Sequence, residues 1–119
     1  MTKALISKHL KIMIRIIERI AVLSLDRTDT AAIDVPIVPA SGIVEIADTH
    51  SQDGRLRTIT LSAVITRRFE ELYDRLKLSI VYCDGGIETY GTEDLPLRLD
   101  IQTVSSQTKI SAKYEIPLS

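Results

Sequence analysis

Alternation of apolar and polar residues is the dominant pattern along this chain. In RLRTITLSAVI, residues 55–65, Ile59, Leu61, Ala63 and Ile65 point one way while Thr58, Thr60 and Ser62 point the other, which predicts a half-buried strand. Toward the C-terminus Leu97, Leu99 and Ile101 alternate with Arg98, Asp100 and Gln102. Ile110, Ala112, Tyr114 and Ile116 then alternate with Lys109, Ser111, Lys113 and Glu115, and VSSQ closes the two runs into a hairpin. Each strand would bury one face and wet the other, as antiparallel sheets do. Upstream, GIVEIADTHS over residues 42–51 reads as a strand, QDG as a turn in which Gly54 can take positive φ, and KLSIVYC as another strand. DGG turns that strand back along residues 87–90, and Gly91 ends the return.

Three segments follow other rules. RRFEELYDRL carries Phe69, Leu72, Tyr73 and Leu76 at helical spacing, with Glu70, Glu71, Asp74 and Arg75 opposite them. This predicts one short helix near residues 67–76, capped by the Thr66 hydroxyl. A helix of that length spans about 15 Å and must dock on the sheet to be stable. AAIDVPI reads as a short extended piece. Pro36 and Pro39 cannot donate ladder hydrogen bonds, so it belongs on an edge or leaves the sheet.

Residues 4–25 fit two patterns. As a helix, Ile6, Leu10, Met13, Ile17 and Ile20 form one stripe and Lys8, Lys11, Arg15, Glu18 and Arg19 the other. As strands, Ile12, Ile14 and Ile16 alternate with Lys11, Met13 and Arg15, a slip at Ile16–Ile17 acts as a bulge, and Ile20 and Val22 resume on the same face. Four isoleucines between residues 12 and 17 tilt the balance toward strands. The expected fold is α+β and β-rich. It is a mostly antiparallel sheet, as a sandwich or partly open barrel, with one docked helix, in a single domain over residues 1–119.

Composition sharpens this. The apolar share is 45% but aromatics are only 4% and Trp is absent, so Ile, Leu and Val must build the core. At 119 residues roughly two-thirds of the unfolded surface can be buried, enough for one core without staples. Fifteen basic residues against sixteen acidic ones leave a net charge of −1, which supplies no electrostatic reason to expect nucleic acid or an anionic membrane as partner. The basic group Lys3, Lys8, Lys11, Arg15 and Arg19 reads as a solvated face. Charges at Lys11, Arg15, Glu18 and Arg19 interrupt the N-terminal apolar run too often for a signal core or a membrane span. With Cys83 alone, no intramolecular disulfide forms, and synthesis in a reducing cytosol fits.

Chemistry-bearing residues are few. His50 sits beside Asp48 and Asp53 in ADTHSQDG, where a polar turn in water explains all three. Cys83 precedes DGG with no His nearby in sequence to activate it. Asp84, Glu88, Glu93 and Asp94 lack the spacing of a calcium loop. DGG leads into a strand and so cannot cradle a phosphate as a loop before a helix does. No catalytic, cofactor-binding or metal-ligating residue is assigned, no cofactor is expected, and the chain is expected not to be an enzyme.

KLSIVYCDGGIETYGTEDLPLRL resembles a hairpin of small structural proteins of bacteriophages and prophages. The marks are Asp84 and Gly85 at the turn, Gly91 and Thr92 on the return, and Pro96 before an alternating strand. GRLRTITLSAVI looks like the strand that precedes a short helix in the same proteins, and TDTAAIDVP is similar to a phrase near the start of some tail proteins. The resemblance implies a self-associating tail, neck or other virion component. Such a subunit is made in the bacterial cytoplasm, becomes virion-associated, and has copies of itself and other virion-type proteins as partners. The alternative is a small β-rich binding module for a peptide or small ligand. An enzyme would require His50, Cys83 and the carboxylates to converge.

Overall fold

The computed structural model describes residues 10–26, 31–67 and 74–118, and statements of absence below refer to these. They form eight strands: β1 (Leu10–Ser24), β2 (Ile33–Val35), β3 (Ile43–Ser51), β4 (Gly54–Ile65), β5 (Leu76–Tyr82), β6 (Ile87–Tyr90), β7 (Asp100–Val104) and β8 (Gln107–Pro117). All pairings are antiparallel, in the order β6-β5-β1-β3-β4-β8-β7 with β2 added to β1, and the sheet curls as a half-barrel. Tight turns link β3 to β4, β5 to β6 and β7 to β8. At the last of these Ser105 and Ser106 both take positive φ, 49° and 65°, which matches the twist of a two-residue hairpin loop.

The first segment resolves to strand. β1 is the spine of the fold and changes partners midway. Residues 10–16 pair with β3, residues 17–24 pair with β5, and residues 20–22 also pair with β2. The change happens at a bulge. Ile17 faces Tyr82 and Ile20 faces Ile80, so Glu18 and Arg19 together oppose Val81. The extra residue restores the inward phase, and Ile17, Ile20, Val22 and Ser24 are all buried. The slip thus lies after Ile17 rather than before it. Ile20 and Val22 do not share a face with Ile12, Ile14 and Ile16, because those three point outward. Arg15 and Arg19 likewise lie on opposite faces. Gly42 makes the crossing possible: a Cβ there would stand 2.9 Å from Ile17 Cβ, and its carbonyl accepts the Ile17 N–H at 2.9 Å.

The inner face of the sheet carries the core. β3 contributes Val44 and Ile46, β4 Ile59, Leu61, Ala63 and Ile65, β5 Leu76, Leu78, Ile80 and Tyr82, and β8 Ile110, Ala112 and Tyr114. Leu97 and Leu99, on the segment leading into β7, close the open side. Leu76 and Leu97 exchange backbone hydrogen bonds of 2.8 and 3.0 Å, which ties that segment to β5. Each Val, Leu or Ile among these contributes about 1.5–3 kcal/mol on burial. The alternation of β4 and β8 is thereby explained position by position. Ile101 departs from it and is 43% exposed, because β7 is the last strand of the sheet and nothing packs beyond it.

Residues 68–73, the middle of the expected helix, lie outside the described residues. Its ends are not helical. Arg67, Asp74 and Arg75 are bends, Arg75 has a φ of 53°, and Leu76 already belongs to β5. Leu76 is fully buried as the first inward residue of that strand, so tertiary packing claims it from the helical pattern. The N–H groups that Thr66 would cap belong to residues 68 and 69, outside the described residues. The Thr66 N–H and hydroxyl both donate to the Pro36 carbonyl, at 2.7 and 3.1 Å. These bonds and the Ile37–Ile65 bridge hold the proline-bearing segment along the end of β4.

The phase of β1 is open to a direct test. Ile20→Ala should cost about 2–5 kcal/mol in urea unfolding, as cavity formation in a core does. Ile12→Thr, before the bulge, should stay within about 0.5 kcal/mol when measured on dilute protein. The opposite ranking would mean that β1 turns its other face to the core.

Candidate functional site

The outward turn of Ile12, Ile14 and Ile16 leaves an apolar surface. Their exposures are 54%, 62% and 41%, and Ile43, the β3 partner of Ile16, is 38% exposed. Ala47 and Glu45 lie beside Ile12 and Ile14 in register. Four neighbouring isoleucines in water form a patch of the kind that marks an interaction surface, unlike a single stray apolar residue. On the reverse face Met13 is 56% exposed and lines an open hollow of about 320 Å³ with Ile12, Ile46, Asp48 and Arg57. Arg57 grips Asp48 through two hydrogen bonds of 2.7 and 2.8 Å, which leaves Met13 and Ile46 as the apolar part of that hollow.

The same stretch has an unpaired edge. The Ile16 carbonyl accepts the Cys83 N–H at 3.0 Å on the β5 side, while the Ile17 N–H points to Gly42 on the β3 side. Backbone groups alternate sides along a strand, so those of Ile12 and Ile14 point away from β3. β5 ends at Tyr82, level with Ile17, and no described strand pairs with β1 beyond it. An apolar face and a free ladder edge therefore meet on residues 10–16.

A polar knot borders this edge. Arg15 points inward. Its guanidinium lies 3.6 Å from the Tyr82 ring centre and makes ion pairs of 3.0 Å with both Asp84 and Glu88. Stacking of this kind contributes about 0.5–2 kcal/mol. Asp84 also accepts the Gly86 N–H at 2.8 Å; that bond first, and Arg15 second, hold its carboxyl below the ordinary 3.8. Tyr82 Oη is buried and has no hydrogen-bond partner, although Glu88 and Tyr90 lie beside it. Burial, followed by Glu88, pushes the Tyr82 phenol well above its ordinary range, and the same two causes push Tyr90 up to about 12. Tyr90 in turn packs 6.1 Å from the Tyr114 ring, whose hydroxyl donates to the Leu95 carbonyl. The knot pins the β5–β6 hairpin to β1. Arg15 is held by both carboxylates at once, which suits a structural clasp better than a reactive centre.

The residues singled out from the sequence separate in space along the chain's hairpins. His50 is exposed at the β3–β4 tip, and Cys83 is exposed at the β5–β6 turn. Of the loose carboxylate group, Asp84 and Glu88 converge on Arg15, while Glu93 and Asp94 stay exposed in the following loop. Of the basic group, Lys3, Lys8 and the Lys11 side chain lie outside the described residues, Arg15 is neutralised in the knot, and Arg19 is exposed on the outer bulge. No group of three or more His, Cys, Asp or Glu able to hold a metal occurs among the described residues, and no helix there is long and apolar enough to cross a membrane. The free edge escaped the sequence reading. Its signal was Ile12, Ile14 and Ile16 on one face, hidden because Ile20 and Val22 were set on that same face although one bulge turns the two halves opposite ways. No family model, curated protein or solved structure matches this chain.

Two measurements probe the knot. Tyr82→Phe removes a buried hydroxyl that has no partner and should leave stability unchanged or raise it by up to about 1–3 kcal/mol in chemical denaturation. A clear loss would mean that the hydroxyl is bonded. Because the Asp84 carboxyl is lowered in the fold, its stabilising effect is present above the ordinary value of 3.8 and lost as pH falls through the lowered one. Acid unfolding of Asp84→Asn should accordingly be less steep below about pH 4 than that of the unaltered chain, and identical slopes would remove Asp84 from the clasp.

Proposed function

We propose that this chain is a non-enzymatic structural protein that works by self-association, as a virion, tail or neck component of a bacteriophage or prophage. The observation that carries self-association is the isoleucine patch of β1 and β3, lying beside an unpaired strand edge. A lone subunit gains nothing from keeping Ile12, Ile14, Ile16 and Ile43 in water, whereas an assembled one buries them at about 25 cal/mol per Å². Exposed edges are ordinarily blunted by charge or proline. Residues 10–16 carry no proline, and of their two charges, Lys11 and Arg15, that of Arg15 is turned inward and paired. The virion assignment rests on the resemblance of the β5–β6 hairpin and the strand that follows it to small phage structural proteins.

A binding module for an extended peptide is the second reading, favoured by the same edge, since β-strand addition uses such an edge with alternate side-chain contacts. The two readings part on the behaviour of the purified chain. Light scattering across a concentration range should show species heavier than the 13.3 kDa monomer, with the fraction rising with concentration. A strict monomer at high concentration would sink self-association. Neighbouring genes that encode no capsid or tail parts would count against the virion assignment.

A further inference from the structure

Self-association leaves open which surface joins which, and the β1 edge narrows this to one arrangement. We propose that residues 10–16 of β1 pair antiparallel with the same residues of a second copy, about a two-fold axis at Met13, so that two half-barrels share one continuous sheet. The inference rests on the self-associating reading above.

Three observations select it. The first is length. The β1 edge offers seven residues, about 23 Å of strand, whereas β6 has four residues and β7 five. The β7 edge also opens with the exposed Arg98–Asp100 pair. The second is register. With the axis at Met13, residue 12 opposes 14, and 14 opposes 12, of the second copy. The backbone groups of Ile12 and Ile14 are the ones that point to the free edge, so these two pairs exchange four hydrogen bonds and satisfy the donors left open. An axis between two residues would set an outward-pointing group against an inward-pointing one. The axis at Met13 uses the whole stretch from 10 to 16 and stops where the Cys83 N–H already occupies the Ile16 carbonyl. The third is the side chains. Ile12, Ile14 and Ile16 share the outer face, so any two-fold pairing sets isoleucine beside isoleucine and merges two patches into one. On the inner face Met13 meets Met13. On that face residue 15 opposes residue 11 of the second copy, which sets Arg15 against Lys11; Arg15 is already paired with Asp84 and Glu88, which reduces the repulsion.

The arrangement predicts a specific cross-link. A residue opposite itself in a non-hydrogen-bonded antiparallel pair has a Cα separation of about 4.5 Å, inside the range a disulfide accepts. Cys83 is exposed and is first removed as Cys83→Ser. Adding Met13→Cys, at a position 56% exposed, should let two thiols give up two protons and two electrons to oxidised glutathione and join two chains. Non-reducing electrophoresis should then show most of the protein at twice the monomer mass. The Cys83→Ser chain carrying Ile87→Cys, at a position 70% exposed on β6, should remain single. Ile14→Lys, at an outward position 62% exposed, should fold normally and weaken association tenfold or more by light scattering.

The outcomes separate the two levels of the argument. Assembled protein in which the Met13→Cys thiols stay free, or in which Ile14→Lys associates as tightly as the unaltered chain, overturns this pairing and leaves self-association standing. A monomer with free thiols at every concentration overturns both, and makes a different protein the occupant of the edge.

Discussion

One extra residue in β1 organises the molecule. A strand exposes its two faces in strict alternation, so a single chain of Ile, Met and Val could not line one core from residue 10 to residue 24 while also serving two different neighbours. The bulge at Glu18–Arg19 breaks the alternation once. Beyond it, β1 turns Ile20 and Val22 into the core beside β5. Before it, β1 lies against β3 with its isoleucines facing out. Gly42 is the other half of this device, since the strand that receives β1 must come within contact of Ile17, and only a residue without a side chain allows that.

The consequences run outward from that point. Because β5 ends level with Ile17, its turn comes to rest against the inward side of β1, and Arg15 can reach over Tyr82 to Asp84 and Glu88. The clasp costs the desolvation of an arginine and leaves one phenol unpartnered. In return it fixes the β5–β6 hairpin at the place where the β1 edge becomes free. An ionic cluster used in this way sets geometry more than it adds stability. The proposed association surface is thus a product of the core: the same phase change that buries one half of β1 exposes the other.

Legibility followed how local each feature was. β4 and β8 were readable residue by residue, because their outer sides face water and their inner sides face the core along the whole length, as Ile59 to Ile65 and Ile110 to Tyr114 show. The hairpin turns were readable for the same reason, since DGG and VSSQ need no distant partner. The RRFEELYDRL pattern misled at its C-terminal end, where Leu76 is drawn into β5. The Arg15 knot joins residues about seventy positions apart, and nothing in the order of residues announces such a contact.

What the chain's own order of residues determines is therefore the class of architecture: an antiparallel sheet with a core of branched aliphatic side chains and no recognisable reactive motif. That much follows from period-two patterning and composition, which act over a few residues at a time. Which side of β1 faces in, where its partner strand stops, and hence which edge stays open were decided only when β3 and β5 docked on either side of it. A one-residue difference in phase inverts every later side chain, and its sign is set by contacts between strands rather than by neighbours along the chain.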